Sequence, residues 1–92
     1  MRKAMDIEGN RIGYDPKAKP APDALLFAHG EYAQTLVGAT PDGRAVYDLD
    51  AMIVWLMRTE GWGYGEALEY VACGIVGSLP DAGPRGPVLV RL

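Results

Sequence analysis

A turn signal that feeds directly into a helix start confines this chain more than any other feature. Thr40-Pro41-Asp42-Gly43 puts proline where φ near −65° is wanted, aspartate where a type I turn tolerates it, and glycine where a left-handed residue is needed. Gln34 to Ala39 and Arg44 to Tyr47 flank the turn with β-branched and aromatic residues, which predicts a strand pair. Asp48 then stands where its carboxylate can accept from the free amides of a first helical turn, with Asp50 near the positive end of that helix. Leu49, Met52, Ile53 and Leu56 follow at helical spacing as a core stripe, and Gly61 and Gly63 end the helix.

A second helix is predicted from about Tyr64-Gly65. It places Leu68, Val71, Ala72, Ile75 and Leu79 on one face and Glu66 and Glu69 outside, with Pro80 closing it. Gly74 and Gly77 interrupt the pattern, where each costs roughly 1 kcal/mol relative to alanine. That cost predicts a close approach of another backbone, at Gly74 in particular. After a Gly/Pro loop over 81–87, Val88-Leu89-Val90 reads as a last strand. The order strand, strand, helix, helix, strand predicts an α+β fold: a small antiparallel sheet, made of the hairpin and the C-terminal strand, packed by a two-helix hairpin.

Residues 1–24 read as an extended N-terminal arm with a Pro-rich connector, and residues 25–92 as a single compact domain. Within the arm, Asp6 to Ile12 can form a small hairpin around Gly9-Asn10. Such a hairpin is marginal alone and has to dock on the domain or on a partner. Residues 14–22 (YDPKAKPAP) show no periodicity. Residues 25–34 remain open between a short helix capped by Asp23 and a buried strand over Leu25 to Ala28. The strand is the preferred reading, followed by one turn around Glu31-Tyr32-Ala33.

With 92 residues the chain makes one small domain, and 49% hydrophobic against 23% charged residues is ordinary for a globular protein. Residues 1–24 carry five basic and four acidic side chains, a net +1, and residues 25–92 four basic and eight acidic, a net −4. Scattered basic residues and an overall charge of −3 argue against a nucleic-acid partner. No segment approaches the roughly 20 apolar residues of a membrane span, and no apolar run follows Met1-Arg2-Lys3 as in a secretory leader. Cys73 is the single cysteine, so no intramolecular disulfide forms and cytoplasmic residence is expected.

No residue cluster announces catalysis, a cofactor or a metal. His29 is the only histidine and reads as a turn or surface residue, since Asp23 and Glu31 nearby form no evident partnership. Cys73 reads as a small core residue. Asp42, Asp48, Asp50, Glu66 and Glu69 read as a turn residue, helix N-terminal charges and a solvated face, without the spacing of a calcium loop. Gly61-Trp62-Gly63-Tyr64-Gly65 lacks the Lys-Ser/Thr pair of a phosphate loop and reads as a helix–helix connection. Catalytic, cofactor and metal residues are therefore expected to be none.

The run Met52-Ile53-Val54-Trp55-Leu56-Met57 is apolar at six consecutive positions, so it wraps around its helix rather than keeping to a stripe. Val54, Trp55, Met57 and Arg58 are accordingly the candidate interface residues, for a protein partner or for a homodimer. A different expectation is a small-ligand pocket between sheet and helices, lined by Tyr47, Trp62 and Tyr64.

The motif string Val37-Gly38, Gly43-Arg44-Ala45-Val46-Tyr47-Asp48, Met52, Leu56-Met57, Glu60-Gly61, Glu66-Ala67-Leu68-Glu69, Leu79-Pro80 and Gly86-Pro87-Val88 resembles a family. That family is a widespread set of small uncharacterised proteins of phages, prophages, bacteria and archaea, with a "GR-VYDYD-M-E-LM…EEA-EFIDYNT-RALPY" type of pattern. The likeness covers Leu26 to Leu92. It departs at Cys73-Gly74, where the family pattern has Tyr-Asn, and at Val54, where the family pattern has a charged residue. The resemblance implies no activity. Together these readings lead to an expected non-enzymatic protein-interaction module, phage- or prophage-encoded, acting as a small dimer or as an inhibitor of a host defence protein such as an anti-CRISPR. A small-ligand-binding protein is the alternative, and an enzyme of unknown chemistry the third reading.

Overall fold

In the computed structural model the described residues are all but 7, 28, 29, 76, 78–82 and 84, with the main chain alone over 30–32. The fold is α+β, with helices packed on one face of a sheet. Its strands are β1 (Arg2–Asp6), β2 (Arg11–Tyr14), β3 (Leu36–Ala39), β4 (Ala45–Asp48) and β5 (Val88–Arg91). A 3-10 helix over Gly30–Thr35 leads into β3, and helices α1 (Leu49–Glu60) and α2 (Tyr64–Glu69) join β4 to β5. Helix α2 continues without a break as a π-helical turn, Tyr70–Ile75.

Both hairpins use the same local chemistry. In the first, the amide of Asp6 donates to the Asn10 carbonyl at 2.9 Å, Gly9 takes φ 87°, and the Asp6 carboxylate accepts from the Asn10 amide at 2.8 Å. In the second, the Thr40 amide donates to the Arg44 carbonyl at 2.9 Å, Gly43 takes φ 88°, and the Thr40 hydroxyl accepts from the Arg44 amide at 3.0 Å. Each is a short loop with a left-handed glycine, the arrangement that matches the twist of the flanking strands. The Thr40 hydroxyl also donates to the Asp42 carboxylate, which holds that carboxyl below its ordinary range.

The sheet is larger than expected and mixed. Its order is β2-β1-β5-β4-β3, with β4 and β5 parallel and every other pair antiparallel. A parallel pair needs a long crossover, which the segment through α1 and α2 supplies. Residues 1–24 therefore do not form an arm beside the domain. Strand β1 pairs with β5 through Met5↔Arg91 and Asp6↔Val90, so the N-terminal hairpin is part of the sheet. The connector is fastened as well: Ala21 donates to the Gly43 carbonyl at 2.9 Å, and Leu25 to the Arg85 carbonyl at 3.0 Å. Arg85 in turn donates to the Asp42 carbonyl at 2.7 Å and to the Asp23 carboxylate at 2.8 Å. Residues 24–27 are irregular rather than a strand, with Leu25 and Leu26 exposed, and the expected turn around residues 31–33 is the 3-10 helix.

The two ends of the sheet meet. Asp15, just past β2, exchanges both backbone hydrogen bonds with Ala39 at the end of β3, at 2.8 and 3.2 Å. A bulge in β3 between Leu36 and Gly38 bends the strand toward this contact. Gly38, at φ 155°, lies under the crossing chain: a Cβ there would stand 2.2 Å from the Asp15 carbonyl oxygen. The curled sheet encloses one core of Ala4, Tyr14, Val46, Val88 and Val90. Its other face packs Ala45, Tyr47 and Leu89 against Leu49, Met52, Ile53 and Leu56 of α1 and Ala67 and Val71 of the second helical segment. Strands β4 and β5 are thus buried on both faces, as their unbroken apolar residues require.

The α1 stripe is as expected, with Leu49, Met52, Ile53 and Leu56 all buried. Its cap is also as expected, since the Asp48 carboxylate accepts from Asp50 and Ala51 at 3.0 and 3.3 Å, and Gly61 ends the helix at φ 71°. Replacing Gly38 by alanine forces the Asp15 crossing apart and strains the backbone. Gly38→Ala is expected to lower unfolding stability by about 2–4 kcal/mol in urea titrations, the largest loss of any glycine in the sheet.

Candidate interaction surface

The apolar run on α1 turns out to be mostly inward. Met52, Ile53 and Leu56 are buried, Trp55 and Met57 lie partly buried on the flanks of the same core, and Val54 is the one large apolar side chain of the run that is exposed, at 48%. Arg58 is exposed beside it in the helix surface. The flanking positions absorb the excess because α1 meets the sheet, the second helix and the 3-10 helix, so more than one side of it is covered. Of the four expected interface residues the structure leaves Val54 and Arg58 as surface.

The three expected pocket residues differ in their surroundings. Tyr47 is buried in the helix-facing core, where its ring lies 4.6 Å from that of Phe27 and its hydroxyl accepts from the Phe27 amide at 3.4 Å. Burial pushes the Tyr47 phenol up. Tyr64 is exposed, with its hydroxyl 3.4 Å from Arg91, which also pairs with Asp50 at 3.2 Å. The space between sheet and helices is filled by the core side chains. Trp62 lines an open hollow.

That hollow is the surface the sequence did not single out. It is a groove of about 440 Å³ on the outer side of the second helical segment, lined by Trp62, Glu66, Glu69, Tyr70, Cys73 and Gly74. Trp62 comes from the α1–α2 connection and packs its ring 5.2 Å from that of Tyr70, tilted by 55°. Glu66, Glu69, Tyr70, Cys73 and Gly74 follow one another three, one, three and one residues apart, so they form one strip of helical surface. The π-helical turn sets the second half of this strip. Cys73, expected in the core, is exposed, because the helical spacing sets it on the side opposite the buried Ala67 and Val71.

Gly74 is likewise not in a close backbone contact. A Cβ there meets nothing within 4 Å, and its φ is not left-handed, so neither packing nor backbone conformation calls for glycine. At Gly77 the nearest neighbour of such a Cβ is the Ala72 carbonyl at 3.9 Å, an ordinary contact. The expected reason for both glycines is therefore corrected: Gly74 is the bare floor of the groove.

The other acidic residues sit where the chain pattern put them, in the turn (Asp42), at the α1 cap (Asp48) and in an ion pair (Asp50). Among the described residues no three of His, Cys, Asp and Glu are grouped to hold a metal ion, and no helix is long and apolar enough to cross a membrane. His29, Leu79 and Pro80 lie outside the described residues. On the sheet, a second hollow of about 280 Å³ is lined by Lys3, Met5, Arg11 and Arg91 with Ala4, so positive charge gathers there. The groove is the opposite. From residue 59 to 84 the chain has Glu60, Glu66, Glu69 and Asp81 and no lysine or arginine.

No family model, no curated protein and no solved structure matches the chain.

Two substitutions test this placement. Gly74→Ala is expected to raise the melting temperature, with a gain of up to about 1 kcal/mol in helix propensity, because the added methyl enters open space. Trp55→Ala is expected to cost about 2–4 kcal/mol through lost core packing, whereas Val54→Ala stays within about 0.5 kcal/mol, as read by urea unfolding of the two side by side.

Proposed function

We propose that the protein is a small non-enzymatic interaction module, cytoplasmic and encoded by a phage or prophage, that acts by docking on a host protein and inhibiting it. A defence complex is the target class that fits this reading, an anti-CRISPR activity being one concrete form. The observation that carries it is the groove on the second helical segment, where an aromatic pair, an uncovered glycine and two carboxylates share one accessible strip. Tyr70 remains 45% exposed there, on a turn of π-helix, a geometry found disproportionately at functional sites. The motif pattern of residues 26–92, which resembles that of small uncharacterised proteins of phages, prophages, bacteria and archaea, is the ground for the proposed source. Self-association is the second reading and rests on Val54, too little exposed surface for a stable dimer by itself.

The test is plating of phage on cells carrying an active defence system, with and without the protein. Wild type is expected to restore plating, and Glu66→Lys/Tyr70→Ala, which spares the core, is expected to abolish that effect at equal soluble expression. Sedimentation of the purified protein at micromolar concentration is expected to give a monomer. Full activity of the double variant, or a dimer lost on Val54→Glu, would sink the groove as the working surface.

A further inference from the structure

Resting on that reading, we infer that the groove on the second helical segment receives a cationic side chain, a lysine or arginine presented by a segment of the partner protein. The floor is bare at Gly74, one wall is the Trp62–Tyr70 pair, and the rim carries Glu66 and Glu69. Two tilted aromatic faces attract a cation through their ring quadrupoles, most strongly when the cation is partly desolvated. The carboxylates add a net negative charge that nothing local neutralises. Among the described residues neither Glu66 nor Glu69 is in an ion pair; the pairs are Arg85 with Asp23 and Arg91 with Asp50. The stretch from 59 to 84, which supplies every lining residue of the groove, contains no basic residue.

The stem of a lysine or arginine suits the rest of the strip. Such side chains lay their methylenes along apolar surface while the charged head finds its partner. Here Gly74 lines the groove without a side chain, which leaves room for the stem at that point. This accounts for a glycine that destabilises its own helical segment without any packing in return. A larger residue at 74 fills the floor and leaves the fold intact, which separates binding from stability.

Cys73 lines the groove and is the only cysteine of the chain, so its alkylation rate reports occupancy of that surface alone. The experiment measures iodoacetamide modification of Cys73 in the full chain with three pooled peptide libraries, whose fixed central residue is basic, acidic or aliphatic. Protection by the basic library alone, weakening as salt rises, is the expected result. With the best basic peptide, Trp62→Leu is expected to weaken binding about three- to thirtyfold. Glu66→Gln/Glu69→Gln is expected to remove the salt dependence. Gly74→Leu is expected to abolish protection while its melting temperature stays at or above that of wild type. Equal protection by the aliphatic library, or binding unchanged in Glu66→Gln/Glu69→Gln, overturns the cationic assignment and leaves the groove as a docking surface. Absence of protection by every library overturns the docking reading with it.

Discussion

Everything in this fold depends on the place where the chain crosses over Gly38. Two backbone hydrogen bonds between Asp15 and Ala39 tie the far ends of the five-stranded sheet together, and the crossing is possible only because residue 38 has no side chain. A chain this short cannot bury both faces of a flat sheet with its own helices. Curling the sheet solves the problem, because the concave face then covers itself. Val46, Val88 and Val90 are enclosed without a second layer, and α1 and α2 are needed on one side only. Each fully buried valine contributes about 1.5–3 kcal/mol relative to exposure, so the closure governs a large part of the stability.

The helical layer divides its work unevenly. α1 carries a full buried stripe, a carboxylate cap and a glycine terminator, and serves as the fixed support. The second segment has a glycine N-cap without a side-chain hydrogen bond and six α-helical residues before it loosens into a π turn. It fully encloses Ala67 and Val71, with Leu68 and Ile75 partly buried against the same core, and turns its opposite face outward. A weakly anchored, outward-facing segment with aromatic and acidic side chains is poorly explained by folding requirements alone. That is why the docking surface is proposed on this segment and not on the more hydrophobic α1.

Much of the fold could be read from residue order. The Thr40–Gly43 turn, the Asp48 cap, the Gly61 terminator and the α1 stripe are set by local chemistry, and each appears as its sequence pattern requires. What could not be read depends on distant partners. Arg2–Asp6 turns only Ala4 into the core, so nothing in its alternation distinguishes a sheet strand from a loose arm until β5 lies beside it. The apolar run on α1 looked like an excess because periodicity is blind to how many neighbours a helix has. The groove escaped because a shift from α to π hydrogen bonding has no local signature at Tyr70, and Cys73 was read as core by its apolar neighbours rather than by its helical phase. One sign of it was available: the unbroken absence of lysine and arginine from 59 to 84.

The central position of β5 has a consequence for how the molecule comes into being. Val88–Arg91, last in the chain order, lies between β1 and β4, so the N-terminal hairpin and the β3–β4 hairpin have no common neighbour until it arrives. Without β5 between them, the edges of β1 and β4 are unpaired and each hairpin is marginal by itself. Pairing across more than eighty positions, from Met5 to Arg91, is entropically slow compared with local turns. Until β5 is in place, the two strand edges that it covers are the ones open to misassociation.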